Sequence, residues 1–407
     1  MKIALIAERP GSSSRPRGAY PGDPAADVLS LGRALAARGQ QVTVYSRTGS
    51  AALPRRATLG RGLTVEYVAA GPRAGFPDDP ARRPDDVVPP HLPAFADQLA
   101  ARWRGSAPDL VHAHFWTSGL AALAAARDLG IPVVQTFQSL GAGPSGNDGP
   151  ATRDGAARIR LEAAIGRTAH AVLAASSDER AQLGRLGVPS ASVWVVPPGV
   201  DTARFQPSGP AAGRGSRPRL LMIGPPDDHQ ALSTAAAALA DVPDAELRII
   251  GIPAAGRPDG EPGGRALSAI SRELGVHDRI SRTAAVSQAA MPALMRSADV
   301  LIHLTPSESF ARVPLEAMAC GLPVIGLAAG ATRDAVIDGV TGYLVPPDQP
   351  ALLAGHLRQL LAHPMLREGC GIAGASRARH RYSWERISQE ALAVYQALAR
   401  RRLQAAA

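Results

Sequence analysis

Short apolar runs rich in branched residues alternate along this chain with longer segments that have a helical spacing of apolar positions. Near the N-terminus the runs are Lys2–Ala7 and Val42–Tyr45, and the Ala-rich segment Ala25–Arg38 separates them. This pattern predicts a βαβ unit with parallel strands. The alternation starts again in the second half with Arg219–Ile223. We therefore predict an α/β fold with two doubly wound parallel-sheet domains that face each other across a cleft.

A Pro/Gly-rich segment that begins at Pro197-Pro198-Gly199 separates the two sets of runs. We place the N-terminal domain at residues 1–200 and the C-terminal domain at residues 201–383. Residues 384–407 are predicted to form an amphipathic helix that crosses back onto the first domain. A chain of 407 residues is long enough for two such domains, each with its own core.

The composition limits the classes of function. The two cysteines, Cys320 and Cys370, argue against a disulfide scaffold and fit a reducing cytoplasm. No apolar segment approaches the roughly 20 residues of a membrane span, so we expect a cytoplasmic protein. The net charge is +9, but Lys2 is the only lysine and the arginines are scattered without interleaved aromatic residues. Nucleic acid is therefore not an expected partner, while a peripheral membrane contact stays open.

The stretch Glu308–Gly321, E-S-F-A-R-V-P-L-E-A-M-A-C-G, carries the clearest chemical signal. It follows the apolar run Ala298–Ile302, which predicts a buried strand that ends in a loop. Pro314 fits the first turn of a helix, which places Glu308 in the loop and Glu316 in the first helical turn. Both carboxylates would then reach the crevice beyond the strand's carboxyl end, where open α/β sheets bind ligands. The alternative is a solvated Glu308 and a Glu316 that only complements the helix dipole.

Four other segments carry distinctive motifs. They are D-L-V-H-A-H-F-W (109–116), V-V-P-P-G-V-D-T-A-R-F (195–205), D-G-V-T-G-Y-L-V-P-P (338–347) and R-Y-S-W-E-R (381–386). Together with residues 308–325, and in this order along the chain, they resemble the retaining GT-B glycosyltransferases of family 4. The resemblance covers nearly the whole chain. It implies two Rossmann-like domains, with a nucleotide diphosphate sugar on the second domain and an acceptor on the first.

The resemblance also implies a reaction. A hexose is transferred from the nucleotide diphosphate sugar with retention at the anomeric carbon, without a metal or a cofactor. The catalytic residue Glu308 would hold hydroxyls of the donor sugar, and Glu316 would hold the ribose. Backbone groups would approach the sugar and the diphosphate at Gly224, Ser309, Phe310, Ala311, Val313 and Leu315. Gly22, His114 and Gln138 would lie on the acceptor side, and the acceptor would be a small polyol, a lipid or a secondary metabolite.

The sequence departs from the family where the diphosphate should be held. Pro225 stands at the position of an Arg and Gln230 at that of a Lys, so both clamping cations are replaced. Asp227 and Asp228 add negative charge to the same segment; this charge disfavours a diphosphate if the two side chains face it, whereas the alternative is that both point into solvent. Gln138 replaces a His of the sugar site. The alternative function is therefore a catalytically degenerate relative that binds a ligand or a partner protein without turnover.

Three further polar groups have more than one interpretation. His112 and His114 end a predicted strand, and they are candidates for packing, for acceptor contact or for metal binding. A divalent ion on Asp227-Asp228-His229 would offset the missing cations, although no metal is part of the main prediction. Cys320 is interpreted as a small buried hydrophobic residue rather than a nucleophile.

Overall fold

The computed structural model describes residues 1–8, 24–48, 55–70, 88–141, 153–224, 229–251, 262–284, 286–305 and 310–406. The chain divides into two compact units. One contains the described residues up to Gly199 together with the C-terminal segment from Trp384, and the other contains the segment Val200–Ser383. Among the described helices, none has both the length and the apolar character that crossing a bilayer requires.

One sheet organises the first unit. Its strands are β1 (Lys2–Ala7), β2 (Gln41–Thr48), β3 (Arg56–Thr58), β4 (Leu63–Ala69), β5 (Leu110–His114), β6 (Val133–Thr136), β7 (Ala171–Ala174) and β8 (Val193–Val195). They are ordered β3-β4-β2-β1-β5-β6-β7-β8. Of the described pairs, β3 with β4 is antiparallel and the others are parallel. Parallel neighbours need crossover connections, which explains why helices alternate with strands in the sequence.

Helices cover both faces of this sheet, as a parallel sheet requires. They are α1 (Pro24–Ala37), α2 (Leu92–Gly105), α3 (Trp116–Ala126), α4 (Arg153–Thr168) and α5 (Ser177–Arg185). Successive residues of β1 alternate between the faces: Ile3 and Leu5 pack with α1, while Ala4 and Ile6 pack with α2 and α3. The aromatic ring of Trp103 fills the second face and is fully buried.

The second unit repeats the arrangement with another sheet. Its strands are β9 (Arg219–Ile223), β10 (Glu246–Ile250), β11 (Ile280–Thr283), β12 (Val300–His303), β13 (Val324–Leu327) and β14 (Gly342–Val345). They pair in parallel in the order β11-β10-β9-β12-β13-β14. The helices are α6 (His229–Ala240), α7 (Pro262–Glu273), α8 (Met291–Arg296), α9 (Arg312–Ala319), α10 (Gly330–Ala335), α11 (Pro350–Ala362) and α12 (Pro364–Tyr382). The predicted α/β architecture with two parallel sheets is confirmed.

The C-terminal helix α13 (Trp384–Ala406) belongs to the first unit and packs beside α1. Its buried residues recur every three or four positions and form one apolar face: Ile387, Ala391, Val394, Tyr395 and Leu398. Arg38, which directly follows α1, donates from Nε to Ser388 Oγ at 3.0 Å. Trp384 is the first residue of α13. A Cβ atom at Gly199 would lie 2.4 Å from its ring, so position 199 requires glycine. Helices α1 and α13 together form the layer on one face of the first sheet.

Some element boundaries differ from the predictions. The strand predicted over residues 109–116 ends at His114, and α3 begins at Trp116. The reason is Phe115, whose φ of 73° cannot continue a strand. Strand β11 and helix α12 were not predicted, whereas β1 and β9 have the predicted bounds.

Two glycines of α12 provide a test of how closely this helix packs. A Cβ at the exposed Gly369 would meet no atom within 4 Å, whereas a Cβ at the buried Gly371 would lie 2.2 Å from the carbonyl oxygen of Gly321. We expect Gly369→Ala to stabilise the fold by about 0.5–1 kcal/mol, because alanine favours a helix. Gly371→Ala should destabilise it by about 1–3 kcal/mol through overpacking. Denaturant unfolding measures both, and a Gly371→Ala protein as stable as Gly369→Ala would contradict the close approach.

Candidate functional site

The strand order creates a topological switch point in each sheet. In the first sheet β1 lies between β2 and β5, and in the second sheet β9 lies between β10 and β12. Successive strands are added on opposite sides of these central strands. Open α/β sheets bind ligands in the crevice outside the carboxyl ends of the two strands at such a point. The residues that follow β9 and β12, and those that follow β1 and β5, are therefore the candidate ligand-binding groups.

In the second unit, the segments after β9 and β12 lie side by side. Gly224 follows β9, and a Cβ atom there would lie 3.9 Å from Thr305 Oγ1, which follows β12. Gly251, after β10, has a φ of 108°, and a Cβ on it would lie 2.4 Å from the Gly224 carbonyl oxygen. Backbone rather than side chains therefore lines this part of the edge, and a ligand can approach it closely.

The N-terminus of α9 is the candidate anion site at this edge. The helix begins at Arg312, and Ala311 is the N-cap residue with φ −78° and ψ 47°. The N-cap residue Ala311 makes no side-chain hydrogen bond to this terminus. The first N–H groups of a helix have no partner within it, and they give its N-terminus a partial positive charge. A phosphate group is the ligand that such a terminus binds best.

Glu316 is the fifth residue of α9, so its predicted place in the first turn was wrong. The helix starts two residues before Pro314, and proline is tolerated there because its missing N–H would have no partner in the first turn. The Glu316 residue is only 5% exposed. Burial of a carboxylate is costly unless hydrogen-bond donors surround it. Its place one turn into the helix suits it to hydroxyl groups of a ligand whose phosphate lies at the terminus.

Other predicted donor residues offer their backbone alone. The side chains of Ala311, Val313 and Leu315 are buried in the core of the second unit. The Leu315 N–H donates to Ala311 O at 2.9 Å, which is a hydrogen bond within the helix. Phe310 is half-buried directly before the N-cap. The predicted residues that lie outside the described residues are Gly22, Pro225, Asp227, Asp228, Glu308 and Ser309.

Gln230, at the start of α6, is hydrogen-bonded within the chain. Its Nε2 donates to Asp348 Oδ1 at 2.5 Å. Asp348 follows β14 with a φ of 56°, a left-handed conformation that Asp tolerates better than most residues. The position at which the family pattern has a clamping Lys is thus a neutral amide held by a carboxylate. A neutral donor binds phosphate less strongly than a cation does.

In the first unit, two histidines lie at the end of β5. The ring centroids of His112 and His114 are 4.1 Å apart, and both residues are buried. Burial lowers the pKa of His114 to about 3 and holds the pKa of His112 well below its ordinary value. Both rings are therefore neutral near pH 7. Among the described residues, no group of three side chains is arranged to hold a metal ion.

Two non-glycine residues with positive φ follow β5 and β6. The φ angles are 73° at Phe115 and 63° at Gln138. Such conformations cost of order 1–3 kcal/mol and are found at functional sites whose surroundings enforce them. The Phe115 N–H donates to Thr136 O at 2.9 Å, and the Gln135 amide donates to Phe115 O at 3.1 Å. The predicted acceptor-side residues His114 and Gln138 thus lie at the carboxyl ends of neighbouring strands.

Arg158 of α4 lies at the same edge and was not predicted as a site residue. Its Nη2 donates to the carbonyl and hydroxyl oxygens of Ser139 at 3.0 and 3.1 Å, and its Nε donates to Glu162 at 2.8 Å. The guanidinium carbon lies 5.3 Å from the centre of the Phe115 ring. An Arg and a Glu four residues apart form a common surface pair on helices, so the spacing alone indicated no function.

Glu8, which follows β1, is the buried carboxylate of this edge. It accepts a hydrogen bond from Thr117 Oγ1 at 3.1 Å, and its Oε1 lies 2.5 Å from His91 Nε2 and 3.5 Å from Arg47 Nε. The Glu8 N–H donates to Ser118 Oγ at 2.9 Å. These partners compensate the burial of the charge. They also tie the starts of α2 and α3 to the end of β1.

Comparison with known proteins decides the family. Residues 26–204 match the family described as Glycosyltransferase Family 4, and residues 216–377 match Glycosyl transferases group 1. D-inositol 3-phosphate glycosyltransferase from Geodermatophilus obscurus is 32% identical, over 91% of this chain and 84% of its own length. The protein of the same name from Frankia alni is 33% identical, over 90% of this chain and 92% of its own. The chain is a family 4 glycosyltransferase.

Solved structures share the fold of this glycosyltransferase. Sucrose-phosphate synthase from Thermosynechococcus elongatus is 28% identical, with a TM-score of 0.78 over 98% of both chains. Anabaena HepE, solved in complex with UDP and glucose, is 17% identical, with a TM-score of 0.68 over 98% of this chain and 100% of its own. The second likeness concerns the fold alone. The predicted GT-B fold is confirmed.

The glycosyltransferase also contains a buried carboxyl group with an unusual titration, that of Glu179 in α5. Its Oε2 accepts from the Ala175 N–H at 2.7 Å, and its own N–H donates to the N-cap hydroxyl of Ser176 at 3.1 Å. Oε1 has no hydrogen-bond partner among the described residues. Burial raises the pKa of Glu179 to about 7, and the nearby Glu162 carboxylate acts in the same direction. Protonation of Glu179 near neutral pH therefore stabilises the folded chain.

Glu179→Gln should make the glycosyltransferase less sensitive to alkaline pH. The pKa of Glu179 is raised to about 7 in the folded state, so the wild type loses stability as the pH rises through that value. We expect the Gln variant to gain roughly 1–3 kcal/mol over the wild type at about pH 8, and much less at about pH 5. Denaturant unfolding at both pH values tests this, with the exposed Glu368→Gln as a control. An equal difference at the two pH values would contradict the raised pKa.

Proposed function

We propose that this glycosyltransferase transfers a hexose from a nucleotide diphosphate sugar to a phosphorylated polyol, with retention of the anomeric configuration. The observation that carries the proposal is the N-terminus of α9, in the helix that also carries the buried Glu316, at the switch point of the second sheet. It combines a site for an anion with a carboxylate for hydroxyl groups, and a nucleotide sugar presents both. The relatives named D-inositol 3-phosphate glycosyltransferase support a polyol phosphate as acceptor.

The N-terminus of α9 binds the diphosphate of the donor in this proposal. Negative charge grows on the diphosphate as its bond to the sugar breaks. Fixed N–H groups at the helix terminus therefore stabilise the transition state more than the bound donor, which is what raises the rate. Gly224 allows the backbone after β9 to approach the ligand. Glu316 accepts hydrogen bonds from the ribose, and Glu308 from the transferred sugar.

Positive charge at this site comes from the helix rather than from a Lys and Arg pair. A helix N-terminus corresponds to about half an elementary charge, and Arg312 adds a cationic side chain at the first position of α9. Gln230 is hydrogen-bonded to Asp348 and contributes no charge. We therefore expect the donor to bind more weakly than in an enzyme with both clamping cations.

The acceptor is assigned to the carboxyl edge of the first sheet. His114 and Gln138 offer neutral hydrogen-bonding groups to polyol hydroxyls. His114 ends β5 and Gln138 follows β6, near the switch point between β1 and β5. Arg158, which is buried beside Ser139 and paired with Glu162, is the guanidinium group that we assign to the phosphate of the acceptor. A guanidinium group suits phosphate because it donates through several N–H groups in one plane.

Donor binding by Glu316→Gln tests the donor site. We expect the wild type to bind one of UDP-, GDP- or ADP-hexose in calorimetry without a divalent metal. Glu316→Gln should weaken that binding about tenfold or more, because a charged acceptor for the ribose hydroxyls is lost. Glu368→Gln, an exposed glutamate on α12, should bind as the wild type does. If no donor in the panel binds to a folded sample, the proposed enzyme activity is contradicted and the catalytically degenerate alternative is favoured.

Restoring the clamp should strengthen donor binding. Pro225→Arg combined with Gln230→Lys places cations at the two family positions, and we expect donor affinity to rise at least about tenfold. Gln230→Lys alone should gain less, because the new ammonium group would pair with Asp348 Oδ1, the present partner of Gln230. Titration of each variant with the preferred donor measures the gain. An unchanged affinity in the double variant would show that the missing cations do not limit binding.

A further inference from the structure

A chain of hydrogen bonds links the C-terminal helix to three strands of the first sheet. Thr136 Oγ1, on β6, donates to Leu173 O on β7 at 3.3 Å. His112 Nε2, on β5, lies 2.9 Å from the same hydroxyl oxygen, and His112 Nδ1 lies 2.6 Å from the Tyr395 hydroxyl of α13. Tyr395 and His112 are fully buried, so these contacts are sheltered from water.

One placement of the protons satisfies all three contacts at once. When the single hydroxyl proton of Thr136 is donated to Leu173 O, Thr136 Oγ1 accepts from His112, which places a proton on Nε2. The ring of His112 is neutral because burial lowers its pKa. Its Nδ1 therefore carries a lone pair and accepts from the Tyr395 hydroxyl. Burial raises the pKa of Tyr395 and keeps that hydroxyl protonated.

His114 packs against the histidine of this hydrogen-bond network. The ring centroids of His114 and His112 are 4.1 Å apart, and the ring planes are inclined by 39°. His114 Nε2 is buried and has no hydrogen-bond partner among the described residues. A buried polar atom without a partner costs free energy that a ligand hydrogen bond would recover. The same atom lies in the residue that ends β5, at the switch point of the first sheet.

We propose that Tyr395 is a positioning residue for the acceptor: by fixing the His112 ring, it holds His114 in the orientation that hydrogen-bonds an acceptor hydroxyl. The inference rests on the proposed function. It gives α13 a role beyond packing, because the apolar contacts of the helix would be equally satisfied by phenylalanine. The Tyr395 hydroxyl is the group of α13 that hydrogen-bonds the His112 ring, and together with Thr136 on the other ring nitrogen it fixes the rotation of that ring.

Tyr395→Phe is the decisive variant, because it removes one oxygen atom and keeps the ring. Ser388→Ala is the matched control: it removes another buried hydroxyl from α13, one that accepts from Arg38 Nε at 3.0 Å and donates to Glu385 O at 2.9 Å. Both variants should lower the melting temperature slightly. Histidine side-chain ¹⁵N NMR of the full chain, with His114→Asn used for assignment, reports the tautomer and environment of each ring. We expect the His114 signals to shift in Tyr395→Phe and to stay unchanged in Ser388→Ala.

Kinetics with a hexose donor and inositol phosphate as acceptor provide the second readout. Tyr395→Phe should raise the KM for the acceptor about tenfold, with the KM for the donor unchanged, since the donor is assigned to the other unit. In the His114→Asn background, Tyr395→Phe should add little, because the two residues act through one contact. Ser388→Ala should leave both KM values unchanged.

The outcomes separate this inference from the proposed function. An absence of turnover by the wild type with every donor and acceptor pair would overturn the proposed function. Turnover with an acceptor KM that Tyr395→Phe leaves unchanged would overturn the role of Tyr395 alone. Equal changes of both KM values, or His114 signals that do not respond to Tyr395→Phe, would likewise reduce Tyr395 to a packing residue.

Discussion

Parallel pairing brings the carboxyl ends of the parallel strands to one edge of each sheet, and helices return the chain to the opposite edge. Because the central strands β1 and β9 have later strands added on both sides, their neighbours β5 and β12 complete a crevice at that edge. Glu8 and His114 are brought to one such edge, and Gly224 and α9 to the other. The side chains and the helix terminus that we assign to ligands follow from this arrangement, although they are far apart in sequence.

Burial at these edges determines which polar groups can be fixed in place. Glu8 has His91, Arg47 and Thr117 around it, and Arg158 is paired with Glu162, so the cost of removing each charge from water is offset by specific partners. The histidines avoid that cost by remaining neutral. Side chains held by such partners are already placed before a ligand binds, which is the condition for positioning reactants.

The elements with the strongest local signal could be predicted from the sequence. Strands β1 and β9 are almost wholly apolar because both faces of a parallel sheet are covered. Strand β11, I-S-R-T, lies at an edge and three of its four residues are polar, so its pattern did not distinguish it from a loop. Helix α12 carries buried glycines where it meets the chain near Gly321, and glycine lowers the expectation of a helix. Its formation depends on tertiary packing that no local pattern contains.

The residues of the candidate site also fall into those that the sequence indicated and those that it did not. Glu316, His114 and Gln138 belong to motifs that the sequence displays, and the structure places each at the carboxyl edge of its sheet. Tyr395 and its partner His112 are 283 residues apart, and nothing in either local sequence indicates the other. Arg158 could not be predicted as a site residue for a related reason. Its contacts with Ser139 and Phe115 form only when α4 packs over the end of the sheet.

A crystal structure of the protein with its preferred nucleotide sugar tests the central claim most directly. We predict that a diphosphate oxygen will lie about 2.7–3.2 Å from an N–H group in the first turn of α9, with the Glu316 carboxylate on the ribose hydroxyls. A nucleotide that is bound with its diphosphate away from α9, or with its ribose out of reach of Glu316, would contradict the account.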